Sequence, residues 1–525
     1  MKFHVIDHNV RITPKAETMA YLRKDNWNDF SFQTLFRLEV VEKRKKIDIG
    51  FVKIAFQGQT TSIPTHKKLE STFTELSSSF FSLGESIDYY ENLKKLSPQS
   101  KKAILNALND IANKPEIIDE IRDEEVLKTS LLRDYSLATV KGEFSRSIQG
   151  QPELTNFNFS FIRSETREVD SVELDFFVNK KAKPATNIHA LIGRNGSGKT
   201  TILNGIISTI TNTDSDTPCA LYEKVGRKKT PISQDYFSSL VSVSFSAFDP
   251  FTPPKDQPDP SKGTCYFYIG LKDAENESKL RSIDDLRLDF IKSLVNCFRK
   301  RGKRRLWKDT ISKLNSDENF EQMNLESMYS DYVDLKSETE GQVDSRLFRA
   351  KLLDKVLPTL SSLSSGHSIV LFTLTQLVAK TEEKTLVLID EPEGHLHPPL
   401  LSAFLRALSD LLFDRNAVAI IATHSPVVLQ EIPKRSVWVV NRVGNTVDPY
   451  RPKQETFGEN VGVLTREIFG LEVIKSGYHQ LLKESVADGR KSYDQIIEQY
   501  NDRLGLEGRA VLKALILQRD KALDS

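Results

Sequence analysis

Leu191-Ile192-Gly193-Arg194-Asn195-Gly196-Ser197-Gly198-Lys199-Thr200 has the form G-x-x-x-x-G-K-[ST], that of a phosphate-binding loop. The apolar run Ile188–Ile192 ahead of it predicts a buried strand, and Thr201–Ile210 behind it predicts a helix. Gly193, Gly196 and Gly198 let backbone N–H groups turn inward around a triphosphate, and the helix aims its N-terminus at the same anion. Lys199 suits the β- and γ-phosphates and the Thr200 hydroxyl suits Mg²⁺. A glycine turn before a helix is the plain alternative. The strand–loop–helix setting favours the nucleotide.

Two later runs share the texture of the strand before the loop. Thr385-Leu386-Val387-Leu388-Ile389 ends in Asp390-Glu391-Pro392, and Ala417–Ala422 ends in Thr423-His424-Ser425-Pro426. Apolar strands that each end in a reactive side chain are the pattern of a parallel α/β sheet, whose ligands sit at the carboxyl ends of strands. Asp390 is then placed for Mg²⁺, and Glu391 to orient and polarise an attacking water. His424 is placed to hydrogen-bond the terminal phosphate. Further back, Leu360–His367 leads into an apolar helix, Ile369–Ala379, where Leu363–His367 reads on its own as an ordinary helix cap.

The bulk numbers narrow the setting. With 525 residues the chain is too long for one ordinary core. Hydrophobic residues make up 39% and charged ones 28%, the balance of a water-soluble protein. A formal charge of +1 names no partner, so any basic surface must be local. Cys219, Cys265 and Cys297 lie far apart, which excludes a disulfide framework or C-x-x-C zinc site and predicts a reducing, cytoplasmic setting. No apolar run reaches the length of a membrane span, and no signal peptide is expected.

Along the chain, Leu35–Val41 and Ile47–Phe56 predict a hairpin across Glu42-Lys43-Arg44-Lys45-Lys46. Phe80–Gly84, Tyr89-Tyr90 and the helix start at Ser97-Pro98 predict a small helical part, with the tyrosine pair as packing. Phe157–Arg163 and Val172–Val178 alternate as strands; Phe157, Phe159 and Phe161 are candidates for stacking on adenine, although core packing suits any of them better. From Pro253 to about Ser345 the texture is charged and helical without sustained heptads, which excludes a long coiled-coil arm. Within it, Arg299-Lys300-Arg301-Gly302-Lys303-Arg304-Arg305-Leu306-Trp307-Lys308 is either a nucleic-acid contact or a solvated helix end.

Gly193–Thr201, Leu363–His367, Asp390-Glu391 and His424 together resemble the phosphate loop, signature, Walker B pair and switch histidine of ABC-type ATPases. The resemblance implies an α/β fold: a P-loop NTPase head with a mostly parallel sheet. It implies ATP and Mg²⁺ as ligands, with Gly193, Arg194, Asn195, Gly196, Ser197, Gly198, Lys199, Thr200 and Thr201 on the nucleotide, Thr200 and Asp390 on the metal, and Glu391, His424 and Lys199 in catalysis. It also implies head-to-tail pairing, a homodimer or a larger even-numbered oligomer, with Ser364, Ser365 and Gly366 completing the site of a second copy. The sequence departs from the family in two places. Its signature reads Leu-Ser-Ser-Gly-His, where Leu-Ser-Gly-Gly-Gln is commoner, and Val241–Phe251 holds no glutamine for a Q-loop, leaving Ser246 or Asp249 as stand-ins. Missing glutamine and excess length argue against a transporter cassette.

Asp390–Pro398 with Thr423–Pro426 is similar to overcoming-lysogenisation and RecF-like ATPases, in which His395 and His397 belong to a D-loop and not to a metal pair. Residues 456–525 contain no Asp-x-Asp, so the TOPRIM nuclease of the first group is not expected. Ser82-Leu83-Gly84 with Asp88-Tyr89-Tyr90, Ser246–Phe251 and Glu455-Thr456-Phe457-Gly458 resemble the PtuA-type ATPases of Septu and retron-associated anti-phage systems. That resemblance implies a partner HNH nuclease and, in retron versions, a reverse transcriptase with its RNA–DNA product. A RecF-like DNA-repair clamp is the alternative. The expected organisation is an N-terminal β-strand and helical part over 1–182, a first core segment over 183–252, a helical insertion over 253–355, a second core segment over 356–452, and a C-terminal helical partner-binding region over 453–525.

Overall fold

Three sheets organise the described residues. The computed structural model describes residues 1–14, 16–25, 31–133, 135–149, 156–166, 170–213, 218–226, 228–233, 236–246, 251–259, 262–274, 279–339, 342–343, 345–475, 477–487 and 491–523. Strands β1 (Lys2–Ile6), β2 (Met19–Lys24), β3 (Leu35–Glu42), β4 (Lys45–Phe56), β5 (Thr72–Phe73) and β6 (Phe80–Gly84) form the first sheet, in the order β5-β1-β2-β3-β4-β6. The expected hairpin turns on Lys43 and Arg44, at φ 51° and 60°, the left-handed pair that suits a two-residue connection between twisted strands. Phe80–Gly84, read from the sequence as part of a helical segment, is instead a strand paired with β4. This sheet and the helices between Ile87 and Gln149 share one core, in which Tyr89 and Tyr90 are buried.

Next in order come β7 (Phe157–Arg163), β8 (Val172–Val178), β9 (Ile188–Ile192), β10 (Cys219–Val225) and β11 (Lys228–Pro231). Four of them make an antiparallel sheet, β11-β10-β7-β8. The remaining strand, β9, joins β12 (Ser239–Ser244), β13 (Cys265–Gly270), β14 (Thr385–Asp390), β15 (Val418–Thr423), β16 (Val437–Val443) and β17 (Thr446–Tyr450). That seven-stranded sheet runs β13-β12-β14-β15-β9-β16-β17 and is parallel except at β17.

The period-two alternation of strands splits its side chains between two layers. Ile188, Ala190, Ile192, Val387, Ile389, Ala419 and Ile421 pack toward the helices Ile283–Arg299, Ser365–Lys380 and Pro398–Asp414. Leu191, Leu386, Leu388, Ile420 and Ala422 pack toward the helix Lys199–Thr211 and the four-stranded sheet. Burial on both faces is why these strands read as continuous apolar runs. Phe157, Phe159 and Phe161 lie buried in this second layer, Phe157 and Phe159 against Phe237 and Phe159 also against Phe176, so core packing takes all three.

The stretch expected as a mostly helical insertion over 253–355 also contributes a strand, β13, which extends the parallel sheet beside β12. Its Cys-Tyr-Phe-Tyr-Ile-Gly sequence is β-prone, but charged flanks hide it. The N-terminal part meets the amino end of the sheet, where Arg146 bonds Glu383 and Arg415 bonds Glu143 at 2.7 Å. The opposite, carboxyl edge is left for the site. Among the described residues no helix is long and apolar enough to cross a membrane.

Candidate nucleotide site

Strand β9 delivers the loop, and the loop is shaped by glycine. A Cβ on Gly193 would come within 2.1 Å of Val440 O on β16, so only a bare backbone fits there. Gly196 and Gly198 sit at φ +78° and +93°, the left-handed region that turns successive N–H groups inward. Gly198 caps the helix Lys199–Thr211, whose N-terminus therefore opens onto the loop. Ser197 is buried, while Asn195, Gly196 and Thr201 are exposed.

Lys199 is 4% exposed. Its Nζ donates to Gly193 O and Arg194 O, both at 3.0 Å, and lies 3.3 Å from His424 Nδ1. Burial pulls its pKa down to about 8, against the opposing pull of Glu391, Asp390 and Glu393. Thr200 Oγ1 donates to Asp390 Oδ2 at 2.8 Å. A hydroxyl and a carboxylate oxygen this close form the hard donor pair that Mg²⁺ prefers.

Glu391 follows β14 in a left-handed conformation, φ +49° and ψ +58°. A non-glycine residue there is strained, and such strain gathers where function dictates geometry. Its Oε1 accepts from His424 Nε2 at 2.8 Å. His424 Nδ1 lies 2.8 Å from Gly193 O, so one tautomer bonds that carbonyl and the other accepts from Lys199. Strands β9, β14 and β15 thus bring together two bonded sets, Lys199 with His424 and Glu391, and Thr200 with Asp390.

Sequence reading passed over Glu393. Its Oε1 accepts from Thr423 Oγ1 at 2.7 Å and from the backbone N–H groups of His424 and Ser425 at 2.5 and 3.1 Å. That carboxylate clamps the turn that carries His424. The Glu-Pro-Glu spacing was the available signal, but nothing in it points at a turn 30 residues on.

Leu363–His367 lies apart from this cluster. Ser364 caps the helix Ser365–Lys380 and pairs with His367 Nδ1 at 2.6 Å, and neither recorded bond of its hydroxyl reaches the phosphate loop. Ser364 and Ser365 are exposed. Gly366 is buried, and a Cβ there would come within 2.6 Å of His395 O, so this glycine also serves close packing. Of the two Q-loop stand-ins, Ser246 is described and Asp249 lies outside the described residues.

The basic run is largely taken up by packing. Lys300 Nζ bonds Tyr135 Oη at 3.1 Å, Lys303 donates to Ala379 O, Arg304 covers the Tyr329 ring, and Trp307 is buried with Nε1 on Thr375 Oγ1 at 3.0 Å. Arg299, Arg301, Arg305 and Lys308 stay exposed.

Residues 188–430 match a family model described as "AAA domain, putative AbiEii toxin, Type IV TA system". Protein ea59 of Escherichia phage lambda is 52% identical over 523 residues, covering 99% of each chain. An ATP-binding cassette of an ABC transporter in its ADP conformation aligns with 61% of this chain and 98% of its own, at 15% identity and a TM-score of 0.29. The SMC head domain from Thermotoga maritima aligns with 57% and 100%, at 10% identity and a TM-score of 0.29.

Proposed function

The chain belongs to the family of Protein ea59 of Escherichia phage lambda, and on that premise we propose that this P-loop ATPase of ABC type is a switch: two heads close on ATP, and closure controls a nuclease supplied by another chain. The cluster of Lys199, Thr200, Asp390, Glu391 and His424 carries this reading. Each member makes an internal bond that a triphosphate and its water would replace.

Lys199 leaves the loop carbonyls for the β- and γ-phosphate oxygens, and Gly193–Thr201 wrap the phosphates with backbone N–H groups. Thr200 and Asp390 would hold Mg²⁺, which would offset phosphate charge. Glu391 orients and polarises the attacking water, and His424 exchanges Glu391 for the terminal phosphate. Glu393 keeps that histidine in reach. Ser364, Ser365 and Gly366 of one head complete the site of the other, in a homodimer or a larger even-numbered assembly.

The output we assign is defence against phage infection in the cytoplasm, through an HNH nuclease and, in a retron setting, a reverse transcriptase with its RNA–DNA product. The lambda relative is phage-encoded, which suits a resident phage shielding its host from rivals. The matched family description names a toxin, in keeping with a harmful output under tight control. A RecF-like DNA clamp would lean on Arg299–Lys308, and the bond of Lys303 to Ala379 O and the burial of Trp307 weigh against it.

Light scattering of the Glu391→Gln chain tests the closure: its mass should double with ATP and Mg²⁺ and stay monomeric without them. A mass indifferent to ATP overturns the paired-head reading. Cleavage of DNA or RNA by the purified chain with Mg²⁺ overturns the assignment of the nuclease to another chain.

A further inference from the structure

We propose that Asp317, His367 and His397 form a second metal site, for Zn²⁺ or a divalent ion of similar ligand preference, apart from the nucleotide cluster. His367 Nε2 lies 3.1 Å from Asp317 Oδ1, and His397 Nε2 lies 3.9 Å from Asp317 Oδ2. One ligand atom from each of the three falls within 4.8 Å of the others. Two imidazoles and a carboxylate form the three-ligand set that suits a borderline ion and leaves a fourth position open.

The geometry is close to what such an ion needs. Zinc bonds of about 2.0–2.2 Å put tetrahedral ligand atoms roughly 3.3 Å apart. The His367–Asp317 pair already meets this at 3.1 Å. The His397 ring must swing inward, and at 52% exposure it has room to do so. Asp317 and His367 are 8% and 7% exposed, so two ligands are fixed and the third is the door.

The surroundings can support His367 and Asp317 as ligands, and His397 needs one proton to move. Ser364 Oγ lies 2.6 Å from His367 Nδ1, and a proton on Nδ1 donated to that hydroxyl leaves Nε2 bare for the metal. Asp317 Oδ1 accepts the N–H groups of Asn319 and Phe320 at 3.0 and 3.3 Å, which fixes the carboxylate as the cap of its helix. His397 Nδ1 accepts from Leu400 N at 3.4 Å; ligation through Nε2 moves a proton to Nδ1 and gives up that long bond. The ion would staple three chain segments: the Asp317 turn, the start of the helix Ser365–Lys380 and the turn before the helix Pro398–Asp414. It also accounts for a histidine at 367, where the commoner signature has glutamine. The site needs no part of the nucleotide reading. The rival arrangement is a metal-free hydrogen-bonded trio.

The test uses the full chain, stripped with EDTA, desalted, and titrated with Co²⁺ and then Zn²⁺ in the absence of nucleotide. We expect one Co²⁺ per chain, with the visible d–d absorption of a four-coordinate ion, displaced by Zn²⁺. His397→Ala, at an exposed position, and His367→Gln should each weaken binding by more than the ~10–100-fold typical of losing an outer partner. Asp390→Asn, which removes the carboxylate placed on the nucleotide's metal, should bind Co²⁺ as the unaltered chain does, which separates this site from the nucleotide cluster. If His367→Gln does not fold, as judged by circular dichroism, His397→Ala decides alone. Absence of the d–d band, equal affinity in His397→Ala, or loss of the ion in Asp390→Asn would each overturn the proposal.

Discussion

Lys199 and Asp110 are both buried ionisable groups, and burial moves both pKa values toward neutrality, to about 8 and about 7. Their surroundings differ. Asp110 is fixed by partners that cannot leave: Tyr90 Oη at 3.1 Å and the N–H groups of Ala112 and Asn113 at 3.0 and 3.2 Å. Lys199 rests on two loop carbonyls, beside glycines at positive φ and a glutamate in a left-handed conformation. A perturbed pKa by itself marks only burial. Replaceable partners and stored strain mark a place where something else binds.

That contrast breaks first at Glu391. Glu391→Gln keeps the shape and removes the proton acceptor, so turnover should fall by roughly 10²–10⁴-fold while ATP still binds. Normal turnover would put the base elsewhere. Lys199→Ala should weaken ATP binding instead, by about 2–5 kcal/mol, or on the order of 30- to several-thousand-fold in Kd. Equilibrium titration with a fluorescent ATP analogue reads this directly, and retained micromolar affinity would remove Lys199 from the site.

How much of the contrast was legible depends on where the information lies. Ile188–Ile192, Leu386–Ile389 and Ala417–Ala422 declared the parallel sheet because both faces are buried, which keeps the runs apolar apart from the buried His189. The residues at their ends were legible because a motif fixes them locally. Strand β13 was missed because its apolar run is short and lies among charged residues, and β6 because nothing local says that Phe80–Gly84 pairs with β4. Glu393, and the approach of Asp317 to His367 across 50 residues, exist only after folding. The basic run hid a packing role for a related reason: Leu306, Trp307, Thr310 and Ile311 make Arg301–Ser312 an amphipathic helix with one face in the core.

Asp110 offers a control on the comparison. Its folded pKa, about 7, stands above the ordinary aspartate value of 3.8. The native state therefore binds the proton more tightly. The stabilising contribution is full below about pH 4 and is lost as pH rises to about 7. Asp110→Asn removes that titration and can still accept from Ala112 and Asn113. Relative to the unaltered chain it should gain on the order of 2 kcal/mol between pH 5 and pH 8, read as a difference in Tm, with nucleotide affinity unchanged. A Tm difference that does not depend on pH would mean that Asp110 stays ionised when buried.

The smallest effect is the one that separates the two groups most sharply. Lys199, with its pKa lowered to about 8 chiefly by burial, is mostly protonated at pH 7 and mostly neutral by pH 9. A bound triphosphate restores the proton, because anionic oxygens replace neutral carbonyls around the ammonium. ATP affinity should therefore be nearly level up to pH 8 and fall by about tenfold per unit above it. Phosphate oxygens have already lost their last proton, with a pKa near 6, so the ligand adds no slope of its own in that window. Lys199→Arg keeps its charge and should flatten the profile, at the cost of a poorer fit. A level profile in the unaltered chain would mean that Lys199 keeps its proton without nucleotide, with Asp390, Glu391 and Glu393 outweighing its burial.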